Sequence, residues 1–112
     1  MADAPPKVRT LIHGTDMLKR GLPGEIRVTL GHPMENGLRP DGLGNVVPRA
    51  LVTRFECRLD GRPVFAADLY PAIAANPYLA VWLRADGPGT LSVEWVGDWG
   101  FQHRETRDIR PA

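Results

Sequence analysis

Apolar and polar residues alternate along most of this chain in short runs, each closed by glycine, proline or an aspartate–glycine pair. In residues 26–30, Ile26, Val28 and Leu30 fall on one face and Arg27 and Thr29 on the other. That two-residue period belongs to a strand with one side buried. The clearest run covers residues 51–59, where Phe55, Cys57 and Leu59 oppose Arg54, Glu56 and Arg58. Asp60 with Gly61 then signals a tight hairpin, and residues 63–69 return. Residues 8–12, 78–84, 90–96 and 101–109 read as further strands. Leu79, Val81 and Leu83 point inward in the second of these, and Leu91, Val93 and Trp95 in the third. Turns are expected at residues 16–24, 86–89 and 97–100. The 12 glycines and 11 prolines come too often for long helices to fit between them. The expected fold is all-β: an immunoglobulin-like antiparallel β-sandwich of about seven or eight strands, forming one domain over residues 1–112. The Cys…Trp…Cys pattern of true immunoglobulin domains is absent, so the expectation concerns architecture alone.

Two stretches break the alternation. Residues 31–49 hold Gly37, Pro40, Gly42, Gly44 and Pro48, and a loop of that length in a small domain tends to be functional. Asp41 with Gly42 is placed to close a small hairpin within it. Residues 71–79 are unusually apolar for a connection, with a short helical turn expected at 72–75. Trp82 falls out of phase with the inward residues of its strand, and Trp99 falls in a turn. Exposed apolar and aromatic groups of this kind mark binding surfaces more often than enzyme pockets.

Composition removes several function classes. The net charge of +1 and the scattered arginines supply neither the basic patch of a nucleic-acid surface nor attraction to an anionic membrane. No apolar run approaches the length of a membrane span. The first residues, from Met1 to Pro6, lack a basic segment followed by an apolar one, so no export signal is expected on the chain itself. The single cysteine, Cys57, excludes an internal disulfide and cysteine-rich metal sites. Its place between Phe55 and Leu59 makes it a core residue rather than a nucleophile. Asp68, at the end of its strand, is expected to cap the turn at Ala72. His13 and His103 read as local side chains. His32 opens the long loop beside Pro33 and Met34, and a similar triplet occurs in the iron site of superoxide reductase-like proteins, which also use an immunoglobulin-like sandwich. That site needs four histidines and a cysteine, whereas this chain has three histidines and an inward-facing Cys57. Neither catalytic residues, nor a metal, nor a cofactor are expected. A small iron-dependent redox enzyme of superoxide reductase type is the alternative.

The ordered blocks of the chain resemble the SoxZ family of the thiosulfate-oxidising Sox system. The first block runs from His32, Pro33 and Met34 through Glu35, Asn36 and Gly37 to Arg39, Asp41, Gly42 and Val47, Pro48, Arg49. Phe55, Glu56 and Cys57, then Asp60 and Gly61, then residues 64–69 continue it. Residues 71–79, from Pro71 to Leu79, are its most specific part, and Gly89, Thr90 and Trp95 follow. The turn at residues 97–100 departs from the family, which more often has an acidic turn there. The resemblance implies a non-catalytic subunit that forms a heterodimer with SoxY, whose arm cysteine carries covalent sulfur intermediates. Transient docking with the enzymes SoxAX, SoxB and SoxCD and a periplasmic location through co-export with SoxY are implied as well. The end of this chain, from Arg107 to Ala112, shows no such arm, so the chain is expected to support the carrier rather than to be it. His32, Met34, Asn36, Arg39, Ile73, Asn76 and Tyr78 are the expected partner-binding residues, because they sit where the chain is irregular or apolar without a demand from the fold.

Overall fold

A computed structural model describes residues 8–35, 37–69 and 75–112. Its strands are β1 (Thr10–His13), β2 (Pro23–Leu30), β3 (Val52–Leu59), β4 (Arg62–Asp68), β5 (Tyr78–Arg84), β6 (Gly89–Gly97) and β7 (Gln102–Ile109). They form two antiparallel sheets, ordered β1-β2-β5 and β4-β3-β6-β7. This is the immunoglobulin-like sandwich that the alternation predicts. The only helical elements among the described residues are short 3₁₀ turns at Thr15–Met17 and Asp98–Gly100.

The inward set of each strand builds the core. Ile26, Val28 and Leu30 from one sheet meet Phe55, Cys57, Leu91, Val93 and Trp95 from the other, all fully buried. Phe55 and Trp95 are cross-strand partners with ring centroids 4.5 Å apart, so the largest apolar groups sit together at the centre. The outer face of β3 and β6 carries the other half of the pattern. Arg54 bridges Glu56 at 3.1 Å and Asp68 at 2.9 Å, Arg58 reaches Glu56 at 2.8 Å, and Arg104 reaches Glu94 at 2.9 Å.

Two boundaries differ from the pattern. β2 starts at Pro23, inside the segment expected to be a turn, because Pro23 and Gly24 pair with Arg84 and Leu83. Gly24 serves close packing there: a Cβ on it would lie 2.6 Å from Leu18 Cδ2. β1 begins at Thr10 and runs to His13, rather than starting at Val8.

One end of the sandwich is closed by short turns. Asp60 and Gly61 both take positive φ, 51° and 79°, in the tight β3–β4 turn, and Asp60 Oδ1 accepts a hydrogen bond from Thr90 N at 2.9 Å. The final residues fold back beside Leu18, with Arg20 N donating to Ala112 O at 2.7 Å and Ala112 N to Leu18 O at 3.1 Å. On the side where β7 meets β1, Arg107 donates to Ile12 O at 3.3 Å. β4 and β5 therefore lie together on the opposite side.

Candidate functional site

Antiparallel pairing brings the C-terminal ends of β2, β4 and β6 and the N-terminal ends of β3, β5 and β7 to one end of the sandwich. Both irregular stretches of the sequence, and the turn holding Trp99, emerge there. The stretch after β2 is not structureless. Glu35 and Ala50 exchange main-chain hydrogen bonds of 3.0 and 2.7 Å. Farther out, Val47 N donates to Arg39 O at 2.7 Å and Asp41 N to Asn45 O at 2.9 Å. Asp41 Oδ1 accepts from Leu43 N at 2.7 Å and Asn45 N at 3.3 Å, an Asx-type closure with Gly42 and Gly44 at positive φ. The small hairpin expected at Asp41 and Gly42 is thus present, and it projects from the sandwich on a two-rung ladder.

The base of this hairpin is seated from below. His32 is buried at 3% exposure and Met34 at 7%. His32 Nδ1 accepts a hydrogen bond from Met34 N at 2.9 Å, and its ring meets Phe101 edge-on at a centroid distance of 5.0 Å. Burial pushes the His32 pKa down, which favours the neutral ring that this acceptor role requires. Met34 Sδ in turn accepts from Val52 N at 3.3 Å. Asn76 ties the second irregular stretch to the first: its Oδ1 accepts from His32 N at 3.0 Å and its N donates to His32 O at 2.8 Å.

The third component is the β6–β7 turn. Asp98 Oδ2 accepts from Arg49 Nε at 2.8 Å and from Leu51 N at 2.9 Å, while Asp98 N donates to Leu51 O at 2.9 Å. The Arg49 guanidinium, followed by the Leu51 amide, holds the Asp98 carboxyl below the usual carboxylate range. Trp99 Nε1 donates to Arg49 O at 2.6 Å, and its backbone is left-handed at φ 61°. A bulky residue there is strained. The indole nevertheless stays 81% exposed, at the rim of an open cleft lined by Arg49, Asp98 and Trp99. Met34 is also left-handed, at φ 54°. Such strain persists only where surrounding structure over-determines it, and it clusters at functional sites.

The expected partner-binding residues divide accordingly. His32 and Met34 do not present side chains at the surface; they seat the loop, because the loop base must bury something to be fixed. Arg39 is exposed and paired with Glu35 at 2.7 Å. Asn76 and Tyr78 are exposed on the neighbouring stretch. Asn36 and Ile73, and the helical turn expected at 72–75, lie outside the described residues. So does the capping expected of Asp68, whose carboxylate pairs with Arg54. The pattern did not single out Leu38, Leu43 and Val46, which are 77%, 84% and 57% exposed on the projecting hairpin, nor the Arg49–Asp98 pair. Three aliphatic residues spaced through a glycine-rich, strand-poor stretch were the available signal.

Cys57 lies in the core with no exposure, and burial pushes its thiol pKa up to about 11. It is therefore a protonated, enclosed thiol at neutral pH. Among the described residues no group of three or more histidine, cysteine, aspartate or glutamate side chains converges to hold a metal ion, and no helix is long and apolar enough to cross a membrane.

The described residues thus form a two-sheet sandwich with three left-handed non-glycine residues, Met34, Asn76 and Trp99, at one end. The model of the sulphur oxidation protein SoxZ matches residues 12–108, nearly the whole chain, and the protein belongs to the SoxZ family. Its role therefore lies in the Sox sulfur-oxidation system. Comparison with curated proteins finds no match. Among solved structures, the superoxide reductase (neelaredoxin) from Ignicoccus hospitalis superposes with a TM-score of 0.68 at 16% identity, covering 92% of this chain and 80% of that one. Two singly substituted forms of the same reductase each superpose with a TM-score of 0.69 at 16% identity, covering 92% of this chain and 79% of theirs. At that identity the likeness is one of fold.

Proposed function

We infer that this chain is the non-catalytic subunit of the SoxYZ sulfur carrier, and that it binds and stabilises SoxY through the loop end of the sandwich. The observation that carries the reading is the hairpin of residues 39–47. It exposes Leu43 and Val46 on a base that the buried His32 and Met34 hold rigid. A soluble domain gains nothing from displaying aliphatic side chains on a braced projection unless another surface covers them. Arg39, Asn76, Tyr78 and Trp99 rim the same end and supply the polar and aromatic border common at protein interfaces. Residues Asn36 and Ile73 belong to the same two segments and are assigned to the contact with them.

The chemistry of the thiol divides the labour. A carried sulfur atom is bonded by an accessible thiolate. Cys57 offers neither access nor ionisation, so the sulfur-bearing cysteine belongs to SoxY. This chain then works as the common platform on which SoxAX, SoxB and SoxCD dock in turn, in the periplasm, without a nucleic-acid or membrane contact of its own. The fold likeness to superoxide reductase favours no iron chemistry here, because Nδ1 of His32 is committed to Met34 N and the one cysteine is an enclosed, protonated thiol.

Co-expression with SoxY followed by size exclusion tests the assignment. A stable one-to-one complex is expected. Separate elution of the two chains at micromolar concentration would refute the obligate-subunit role.

A further inference from the structure

The edge strand β5 carries a second surface, which adjoins the loop end at Tyr78. Leu30 N donates to Pro77 O at 3.0 Å, which makes that pair a hydrogen-bonded rung of the β2–β5 ladder. Alternation along an antiparallel pair then turns the main-chain groups of Leu79, Val81 and Leu83 toward β2. Those of Tyr78, Ala80, Trp82 and Arg84 turn outward. Among the described residues no strand lies on that side, because β5 ends its sheet.

The other edges are protected. β1 is short, and Arg107 occupies its Ile12 carbonyl. β7 is rich in charge, from Arg104 and Glu105 to Arg107 and Asp108. β4 contains Pro63, and its register against β3 slips between Cys57 and Arg58. Lysines, prolines, bulges and charges are the usual defences of a free edge. β5 has none of them from Tyr78 through Leu83; its first charge is Arg84. On the face beside it, Tyr78 at 54%, Trp82 at 65% and Leu11 at 39% exposure surround a single ion pair of β2, Arg27 with Glu25 at 3.1 Å. The outer face of the other sheet, by contrast, is a lattice of ion pairs.

We propose that β5 pairs antiparallel with β5 of a second copy of this chain, joining two three-stranded sheets into one continuous sheet. The register that uses the whole edge places the two-fold axis at Val81. Ala80 then opposes Trp82 of the other copy, and Tyr78 opposes Arg84. Every outward N–H and C=O of the four residues gains a partner on both strands. Each copy supplies the large ring where the other has a methyl group, and an arginine where the other has a phenol face, a favourable cation–π geometry. No like charges meet. This self-complementarity argues for a second copy rather than an unrelated strand. The pairing draws on Tyr78 to Arg84 and on no residue of the projecting hairpin or of the Trp99 turn, so Tyr78 is the one residue it shares with the loop-end contact.

The test is sedimentation of the purified chain across a concentration series, with hydrogen exchange read residue by residue. A concentration-dependent dimer is expected, with the amides of Tyr78, Ala80, Trp82 and Arg84 exchanging at least about tenfold more slowly in the dimer. Ala80→Glu should return a monomer with an unchanged circular dichroism spectrum. The new carboxylate faces Arg27 within its own chain but lies against the Trp82 ring of the other copy across the axis, with its like-charged twin on the adjacent diagonal. The proposal is overturned by a chain that stays monomeric at the highest soluble concentration with those amides exchanging freely. It is also overturned by a dimer protected elsewhere, or by protection that appears only when another protein is bound. None of these outcomes touches the assignment of the loop end to SoxY, which the co-purification reads separately.

Discussion

The two ends of this sandwich both expose apolar side chains, yet they are built differently. At the turn end, Met17 and Leu22 are 76% and 56% exposed, beside a 3₁₀ turn and a strand start. At the loop end, Leu38, Leu43 and Trp99 are more exposed still. Exposure alone does not separate the ends. What does is the structure beneath. Of the non-glycine residues with positive φ among those described, only Asp60 lies at the turn end, where an aspartate–glycine hairpin tolerates it. Met34, Asn76 and Trp99 lie at the loop end. There a buried histidine, a buried methionine and a carboxylate bound to two partners hold the backbone in place. Strain retained beneath an exposed surface indicates that the shape of that surface matters, which loose exposure at the turn end does not.

Breaking the braces should sharpen that contrast. Met34→Ala is expected to have the largest effect, about 2–5 kcal/mol of lost stability in urea unfolding, because it empties a buried site. Met17→Ala at the other end should stay within about 0.5 kcal/mol. Equal effects would erase the distinction between a braced end and a plain one. Asp98→Ala comes next, at about 1–3 kcal/mol, since it leaves the Leu51 amide without its acceptor. Arg49→Ala, which removes only an exposed ion-pair partner, should cost less, about 0–1 kcal/mol.

The smallest effect concerns pH. Burial lowers the pKa of His32 in the folded chain, so folding favours the neutral ring. The stability this contributes is complete above the unfolded pKa of about 6.5. It is lost as pH falls from there through the lower folded value. Urea midpoints measured from pH 8 downward should therefore decline on the acid side, and His32→Asn should flatten that decline. An unchanged slope in the variant would mean that His32 does not brace the loop.

Most of the fold was legible because alternation has a strict period and the turn chemistry at Asp60 and Gly61 is local. The start of β2 was not. Pro23 and Gly24 carry the composition of a turn, and only their long-range pairing with Arg84 and Leu83 of β5 makes a strand of them. At the site, Trp99 stood out as an aromatic in a turn, and Asn76 and Tyr78 as members of an unusually apolar connection. His32 and Met34 stood out as well, but their role was inverted: they underlie the surface instead of forming it. A loop carries no periodicity to reveal which side chain turns inward, and the tie between His32 and Asn76 spans two segments far apart in sequence. The Arg49–Asp98 pair joins residues nearly half the chain apart, beyond the reach of any local pattern.

The most direct test of the central claim is to titrate SoxY with two double variants, each replacing two exposed apolar side chains at one end. One is Leu43→Ser with Trp99→Ser at the loop end; the other is Met17→Ser with Leu22→Ser at the turn end. The loop-end variant is expected to bind at least about tenfold more weakly while unfolding at the wild-type urea concentration, and the turn-end variant to bind as wild type. Undiminished binding by the loop-end variant, or equal losses in both, would contradict the claim that the braced end is where the partner sits.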